Sequence, residues 1–196
     1  MNRKIIKPTP FGSVGVIWTR VNNNPKVFRI LLSKPGLSAE DQVSDLFPNS
    51  QVSSCAEIDD IATAIERLLD GEEIEFSLDV AELSFCTEFQ QRVLYAEHGI
   101  PRGSVSSYQL IAEYIGKNNG ARAVGNALAN NPSPLIVPCH RAIRSDRNLG
   151  GYQGGLEMKR ALLEKEGIAF DDAGRVARMQ LYYERRESNE RIQPVR

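Results

Sequence analysis

Two short apolar runs around a turn, followed by one segment with helical spacing, most strongly constrain the fold of this chain. Residues 11–19 are rich in Val, Ile and Trp, residues 27–32 form a second short apolar run, and the turn-forming residues 22–25 lie between them. Residues 56–69 repeat their apolar side chains at helical spacing and are followed by a glycine. The sequence therefore predicts a hairpin with one amphipathic helix packed on it. Residues 34–54 show no clear period, which favours a loop.

Short helices with clear starts and stops make up the second half of the chain. Thr87 is predicted to cap one helix, and Ser107 is predicted to cap the next, over residues 108–115. After a short glycine-containing break, residues 121–129 form another predicted helix. Such a pair is a helix-turn-helix candidate, an arrangement that reads DNA in some proteins and serves only packing in many others. A further helix is predicted over residues 156–166.

The charge of the chain is unevenly distributed and agrees with two domains. Residues 1–85 carry a net charge of −5, whereas residues 86–168 carry +3. The predicted fold class is α+β, with a small N-terminal α/β domain over residues 1–85 that contains the hairpin and a helix. A mostly helical C-terminal domain with the helix-turn-helix follows over residues 86–176. The charged tail, 177–196, matches no predicted element and is a candidate for disorder.

Composition excludes several classes of protein. Hydrophobic residues make up 41% and charged residues 25% of the chain, as in ordinary globular proteins. No apolar run approaches the ~20 residues needed to cross a bilayer, and the basic start lacks the apolar stretch of a secretory signal. We therefore expect a cytoplasmic protein, or a nuclear one in a eukaryote, with no membrane partner. Three cysteines without C-x-x-C spacing and two histidines predict neither a disulfide framework nor a metal site.

The strongest chemical signal is a cysteine followed by an imidazole and a guanidinium. Residues 135–137 are predicted to be a buried extended run that delivers Cys139 near its end, next to His140 and Arg141. A thiol with a pKa of ~8.5 is mostly protonated at neutral pH, so a nucleophile needs a base or nearby positive charge. Cys139 and His140 are adjacent in sequence, so their side chains can diverge. Contact between the thiol and the imidazole through one water molecule is therefore favoured over direct contact. Glu166 is a candidate for the group that orients the imidazole.

These residues can also be interpreted as purely structural, with no role in chemistry. A cysteine at the end of a buried strand is more often a core residue than a nucleophile. Cys55 and Cys86 are interpreted as structural, and His98 as a helix-terminal residue. On an isolated Cys-His pair alone, the structural interpretation is favoured.

The motifs around the cysteine strongly resemble the methylated-DNA–protein-cysteine methyltransferase family, also called O6-alkylguanine-DNA alkyltransferases. The resemblance covers roughly residues 86–176, while residues 1–85 resemble the variable N-terminal domain only in layout. The segments that carry it are Phe89-Gln90-Gln91-Arg92-Val93, Ile100-Pro101-Arg102-Gly103, Ser107-Tyr108, Ala121-Arg122-Ala123-Val124-Gly125, Asn131-Pro132-Ser133-Pro134, Pro138-Cys139-His140-Arg141, Gly150-Gly151-Tyr152-Gln153-Gly154-Gly155-Leu156 and Lys159-Arg160-Ala161-Leu162-Leu163-Glu164-Lys165-Glu166.

The resemblance implies a catalytic role for four residues. Cys139 corresponds to the acceptor thiol, His140 to the histidine that deprotonates it through a water, and Glu166 to the glutamate that holds that histidine. Tyr108 corresponds to the tyrosine that helps to neutralise the leaving guanine and contacts DNA. Arg122 corresponds to the arginine that replaces the extruded nucleotide in the duplex.

The resemblance also implies a set of contacts to DNA or substrate. Asn131 corresponds to the asparagine of a hinge beside the helix-turn-helix, and Ser145 lies where the family contacts the extruded nucleotide. Tyr152 and Gln153 belong to the loop that closes the alkyl pocket. With Arg122, the expected DNA- or substrate-contacting residues are Asn131, Pro134, Arg141, Ser145, Tyr152 and Gln153.

The function implied by the resemblance is DNA repair by irreversible, single-turnover transfer of an alkyl group. The group would move to Cys139 from O6 of guanine, and also from O4 of thymine, in a nucleotide flipped out of the duplex. Flipping costs a few kcal/mol, and insertion of Arg122 would offset part of it. The expected partner is double-stranded DNA containing O6-alkylguanine, bound by a monomer through the helix-turn-helix. No metal or organic cofactor is expected.

Three alternatives belong to other classes of protein. A non-reactive binder of alkylated DNA is disfavoured because relatives of that kind lack the cysteine. A Cys-His-Glu hydrolase would require turnover, and it would leave the helix-turn-helix and Arg122 without a role. A transcriptional regulator would leave the Cys-His-Arg cluster unused.

Overall fold

The computed structural model describes residues 1–184, which form an α+β fold as the sequence predicts. Six strands and six α-helices alternate unevenly along this part of the chain. The strands are β1 Asn2–Ile6, β2 Val14–Val21, β3 Asn24–Leu32, β4 Gln51–Val52, β5 Ser106–Ser107 and β6 Ala142–Ile143. The helices are α1 Ala39–Leu46, α2 Ala56–Asp70, α3 Glu88–His98, α4 Tyr108–Tyr114, α5 Ala121–Ala129 and α6 Leu156–Lys165.

The first half is built on a four-stranded sheet with the strand order β3-β2-β1-β4. Strands β2 and β3 form the predicted antiparallel hairpin, and Asn22 and Asn23 take positive φ angles of 49° and 66° in its turn. Asparagine tolerates this left-handed conformation better than most residues. Strand β1 pairs with β2 and was not predicted, because its polar first residues hide the alternation of a strand.

Helices α1 and α2 complete the first half. Helix α2 matches the predicted amphipathic helix, and its apolar residues, including Ile58 and Ile65, are buried in the main core. Helix α1 lies within the segment predicted to be a loop, so that prediction is wrong for residues 39–46. Only Ala39 and Val43 of α1 are buried, which is too few apolar residues to produce a readable helical period.

The second half contains the predicted series of capped helices. The hydroxyl of Thr87 accepts from the backbone of α3, and that of Ser107 accepts from the N–H of Leu110 in α4. Helices α4 and α5 pack on each other across a short turn, which gives the predicted helix-turn-helix arrangement. Buried residues of both halves form one apolar cluster, so the two halves share a continuous core.

The segment before Cys139 differs from the predicted extended run. Leu135 and Ile136 form a turn, with Leu135 at a φ angle of 77°, and the N–H of Val137 donates to the carbonyl of Ser133 over 2.9 Å. The apolar side chains are buried as expected. A short apolar run is buried because of the core around it and does not by itself specify a strand. These residues therefore form a turn where the sequence predicts an extended segment.

The end of the described chain packs on the second half. Leu181 is buried in a small apolar cluster, and the N–H of Tyr182 donates to the carbonyl of Val105 over 2.8 Å. Residues 177–184 are therefore ordered by contacts, in contrast to the disorder predicted for the tail. The rest of that predicted tail, residues 185–196, lies outside the described residues.

Candidate active site

A cavity of ≈ 840 Å³ lies between the helix-turn-helix and the glycine-rich loop over residues 149–155. This volume is within the range of sites that bind small molecules, ~300–1,000 Å³. Among the predicted site residues, those that line the cavity are Tyr108, Arg122, Cys139, Tyr152 and Gln153. The cavity thus brings the predicted nucleophile together with residues from α4, α5 and the glycine-rich loop.

Cys139 lies at the start of a short 3-10 helix, Cys139–Arg141, and only 5% of its surface is exposed. Burial raises the pKa of its thiol to about 12, and a hydrogen bond with the side chain of Asn131 opposes part of that rise. The thiol is therefore protonated at neutral pH. It can act as a nucleophile only if a base removes its proton as it attacks.

His140 and Glu166 form a hydrogen-bonded pair behind the cysteine. Nε2 of His140 lies 2.9 Å from Oε1 of Glu166, and both side chains are shielded from solvent. Burial lowers the pKa of His140, although Glu166 opposes the effect, so the imidazole is neutral at pH 7. A carboxylate can only accept, so Nε2 carries the proton and Nδ1 presents a lone pair. Nδ1 is buried and has no hydrogen-bond partner within residues 1–184.

Arg141 does not face the cavity, where a substrate contact was predicted. Its guanidinium donates to Glu166 at 2.8 and 3.0 Å, and to the carbonyl of Ile100 at 2.6 Å. Burial acts to raise the pKa of Glu166, but hydrogen bonds and charge from His140 and Arg141 lower it to about 2. Arg141 therefore keeps Glu166 ionised and fixed in place, which a sequence reading could not show.

Tyr108 supplies a phenol to the wall of the cavity. It is the first residue of α4, and burial raises its pKa to about 12, so it is a neutral hydrogen-bond donor. The glycine-rich loop crosses close to it. A Cβ atom added to Gly150 would lie 2.7 Å from the Tyr108 hydroxyl oxygen. Gly150 also has a φ angle of 70°, so a glycine suits this position for two separate reasons.

Three of the other residues predicted to contact DNA or substrate line the cavity, and Ser145 does not. Arg122 lies in the first turn of α5 at the cavity, and Gln153 ties the loop to the end of α5 by donating to the carbonyl of Asn131 over 2.8 Å. The ring of Tyr152 meets that of His140 edge-on at 6.2 Å. Ser145 is exposed on a neighbouring turn and does not line the cavity.

Asn131 and Pro134 support the cavity from inside the protein. The side chain of Asn131 donates to the carbonyl of Val137 over 3.1 Å and accepts from the N–H of Ser133 over 3.0 Å. Pro134 is buried beside this turn and does not line the cavity. The two residues shape the turn that delivers Cys139, whereas the sequence predicted direct contacts to DNA or substrate.

Three residues near the site were not predicted. Arg144 lines the cavity. The buried Nζ of Lys159 donates to the carbonyls of Ala142 and Leu149 at 2.6 Å each. Glu97 is fully buried, which raises the pKa of its carboxyl to about 8. Glu97 lies one helical turn after Val93, a buried residue of α3, and this spacing places it on the buried face of the helix.

The described part of the chain holds no group of three or more His, Cys, Asp and Glu side chains placed to bind a metal ion. None of the helices within residues 1–184 is both long and apolar enough to cross a membrane.

Sequence comparison relates this arrangement to known proteins. The family model described as 6-O-methylguanine DNA methyltransferase, DNA binding domain, matches residues 88–168. A methylated-DNA–protein-cysteine methyltransferase of Mycobacterium leprae is 44% identical over 128 residues, which are 63% of this chain and 76% of that protein. One from Methanothermobacter thermautotrophicus is 47% identical over 108 residues, which are 55% of this chain. The match spans only 60% of the length of that archaeal relative.

Solved structures show the same fold. The Mycobacterium tuberculosis OGT, solved in complex with DNA, matches 85% of this chain and 92% of its own with a TM-score of 0.65 and 30% identity. The O6-methylguanine-DNA methyltransferase of Pyrococcus kodakaraensis matches 85% of this chain and 99% of its own with a TM-score of 0.67 and 25% identity. Both matches extend well beyond the segment covered by the family model, into the N-terminal half.

Proposed function

This chain belongs to the methylated-DNA–protein-cysteine methyltransferase family, and we propose that it repairs DNA by moving an alkyl group from O6 of guanine to Cys139. One observation carries the proposal. A buried thiol lies at a cavity with a neutral imidazole and an ionised carboxylate, His140 and Glu166, behind it. Such a chain of groups suits transfer of a proton away from the sulfur.

The first step removes the proton of the thiol. Nδ1 of His140 is the free basic atom of the imidazole, and it takes the proton of Cys139 through a water molecule. The imidazolium that forms is stabilised by Glu166, whose pKa of about 2 keeps it negative. The sulfur thereby gains its nucleophilic lone pair only as the alkyl carbon approaches, and the raised thiol pKa protects it from other reactions.

The second step exchanges one bond for another. Sγ of Cys139 forms a bond to the alkyl carbon, the carbon–O6 bond breaks, and its electron pair stays on guanine. Tyr108, a neutral donor at the cavity wall, hydrogen-bonds the guanine as its charge develops. The product thioether has no leaving group that water can displace. Each protein molecule therefore acts once. O4-alkylthymine carries the same kind of alkyl–oxygen bond and is the second substrate.

Access to the alkyl carbon requires that the nucleotide leave the duplex. An O6-alkyl group is stacked inside DNA, and the thiol is recessed in a cavity, so flipping is the only route for the two to meet. The helix-turn-helix of α4 and α5 binds the duplex, and Arg122 fills the gap. The protein acts as a monomer on double-stranded DNA. Residues 86–176 carry the reaction and DNA binding, and residues 1–85 support them.

Intact-protein mass spectrometry tests the proposal. Excess duplex with one O6-methylguanine should add one methyl group per chain, located on Cys139, and no more on longer incubation. Cys139→Ala should remove transfer and keep DNA affinity. Cys86→Ala changes another buried free thiol, one that lies outside the cavity, and should keep transfer. Release of several methyl groups per chain would favour the hydrolase, and binding without any transfer would favour the non-reactive binder.

A further inference from the structure

We propose that the C-terminal strap, residues 176–183, is a positioning element that holds Tyr108 in place for alkyl transfer. This inference rests on the proposed function of the cavity. The strap crosses the outside of the second half and does not line the cavity itself. Its contacts nevertheless converge on the two short strands that lead into the cavity wall and on both ends of α4.

The first contact of the strap is with the turn that follows β6. The N–H of Val176 donates to the carbonyl of Arg147 over 3.0 Å. The guanidinium of Arg147 donates in return to the carbonyls of Ala177 and Met179, at 3.1 and 3.0 Å. The N–H of Arg147 also donates to the carbonyl of Arg144, a cavity residue, over 2.9 Å. The strap therefore braces the turn that carries one wall of the cavity.

The second contact lies directly before Tyr108. The N–H of Tyr182 donates to the carbonyl of Val105 over 2.8 Å, and the hydroxyl of Ser106 donates to the carbonyl of Tyr182 over 2.5 Å. Ser106 belongs to β5, and Ser107, the next residue, caps α4. These bonds fix the chain two residues before the phenol, where a small rotation of the backbone would redirect it.

The third contact lies at the opposite end of α4. The ring of Tyr183 stacks on Tyr114, the last residue of α4, with ring centroids 4.0 Å apart and planes 20° apart. The hydroxyl of Tyr183 donates to the carbonyl of Ala96 in α3 over 2.7 Å. Because α4 has only seven residues, bonds before its first residue and a stacked ring at its last residue fix the whole helix.

Burial keeps these contacts from exchanging with water. Leu181 is 8% exposed and packs in a cluster with Val105 and Ile143, the residues beside β5 and within β6. Leu181 and Val176 pack in the same apolar cluster, so the hydrogen bonds of the strap at Val176 and at Tyr182 are joined into one cooperative unit. The second and third contacts act on the reaction through Tyr108, whereas the first contact acts on the turn that carries Arg144.

A double-mutant cycle with Tyr108→Phe tests this path. The substitutions are Ser106→Ala and Tyr183→Ala, and the measurement is the rate constant of alkyl transfer from free O6-benzylguanine, at a temperature where every variant is folded by circular dichroism. Each should lower the rate about fivefold in the wild-type background, the rate equivalent of one hydrogen bond. Neither should lower it further in the Tyr108→Phe background. Equal losses in both backgrounds, or no loss in either, would overturn the proposal.

A second readout separates this inference from the proposed function. Protein labelled with fluorotyrosine gives a signal for Tyr108 that the Tyr108→Phe variant identifies by its disappearance. The fluorine resonance of Tyr108 should shift or broaden in Ser106→Ala, and Ser106→Thr should restore it. Tyr95→Ala removes an exposed tyrosine of α3 that lies outside the cavity and should leave the Tyr108 resonance unchanged. An unaltered resonance in the strap variants overturns the inference even if transfer occurs, and a wild type without transfer overturns the proposed function.

Discussion

His140 and Arg141 are consecutive residues, yet both point to the same oxygen atom. Oε1 of Glu166 lies 2.9 Å from Nε2 of His140 and 2.8 Å from a guanidinium nitrogen of Arg141. Both residues lie in the short 3-10 helix that begins at Cys139, and the carboxylate that they share comes from the C-cap of α6. One buried negative charge thus fixes the imidazole and holds the segment that carries the thiol.

The charge of Glu166 should matter for the reaction. Glu166→Gln keeps the shape and an acceptor oxygen for Nε2 of His140, but it removes the charge that stabilises the imidazolium. We expect the single-turnover rate on O6-methylguanine duplex to fall by roughly 10²-fold, a typical contribution of general base catalysis. The control is Glu164→Gln, which alters an exposed carboxylate of the same helix that pairs with Arg160. Similar rates for the two variants would contradict a role for the Glu166 charge.

The same carboxylate should control stability in acid. The folded pKa of Glu166, about 2, lies below its ordinary value of 4.5, so its contribution is complete above pH 4.5 and is lost as the pH falls towards 2. That contribution is about 3 kcal/mol of the free energy of unfolding. Burial of neutral His140, whose pKa is also lowered, acts in the same direction below pH 6.5.

Urea unfolding at several pH values measures this effect. The wild-type free energy of unfolding should decline between about pH 5 and pH 2 more steeply than that of Glu166→Gln. Glu72→Gln breaks a solvent-exposed pair with Arg67 and should follow the wild-type curve, since such pairs contribute little. A Glu166→Gln curve parallel to that of the wild type would show that this carboxyl does not have a lowered pKa.

Two neighbouring glycines give a matched test of the phenol. In Gly150→Ala the new Cβ lies 2.7 Å from the Tyr108 hydroxyl oxygen and the φ angle of 70° strains the backbone. In Gly151→Ala no described atom outside the immediate chain neighbours comes within 4 Å of the new Cβ. We expect Gly150→Ala to lose about 1–2 kcal/mol of stability and most of its transfer rate to free O6-benzylguanine. Equal transfer rates for both variants would show that displacement of the Tyr108 hydroxyl does not affect alkyl transfer.

Arg122 should matter on duplex DNA and not on a free base. The side chain lies at the cavity on α5, where insertion into DNA offsets the cost of flipping a nucleotide. Arg122→Ala should slow transfer from O6-methylguanine duplex by roughly 10-fold or more, because a few kcal/mol of flipping cost is no longer offset. Transfer from O6-benzylguanine should stay within about twofold of wild type, since a free base needs no flipping. Arg20→Ala, which removes an exposed arginine of the first half, should change neither rate.

Local sequence determined the elements whose signals are complete within a few residues. The hairpin of β2 and β3 follows from two apolar runs around an asparagine-rich turn. The starts of α3 and α4 follow from Thr87 and Ser107, because a capping hydroxyl needs only the backbone two or three residues ahead. The sequence by itself also placed Cys139, His140 and Glu166 among the candidates for chemistry, through their residue types and their motif.

Tertiary structure decided where side chains point and which apolar segments extend or turn. Leu135 lies in a turn because its burial depends on surrounding elements, and the letters Leu-Ile-Val are compatible with either geometry. Arg141 binds Glu166 instead of facing the cavity, and the strap packs at Leu181 although residues 177–196 match no predicted element. These choices depend on contacts between residues far apart in the chain. Their free energy comes from burial and paired charges that no local pattern encodes.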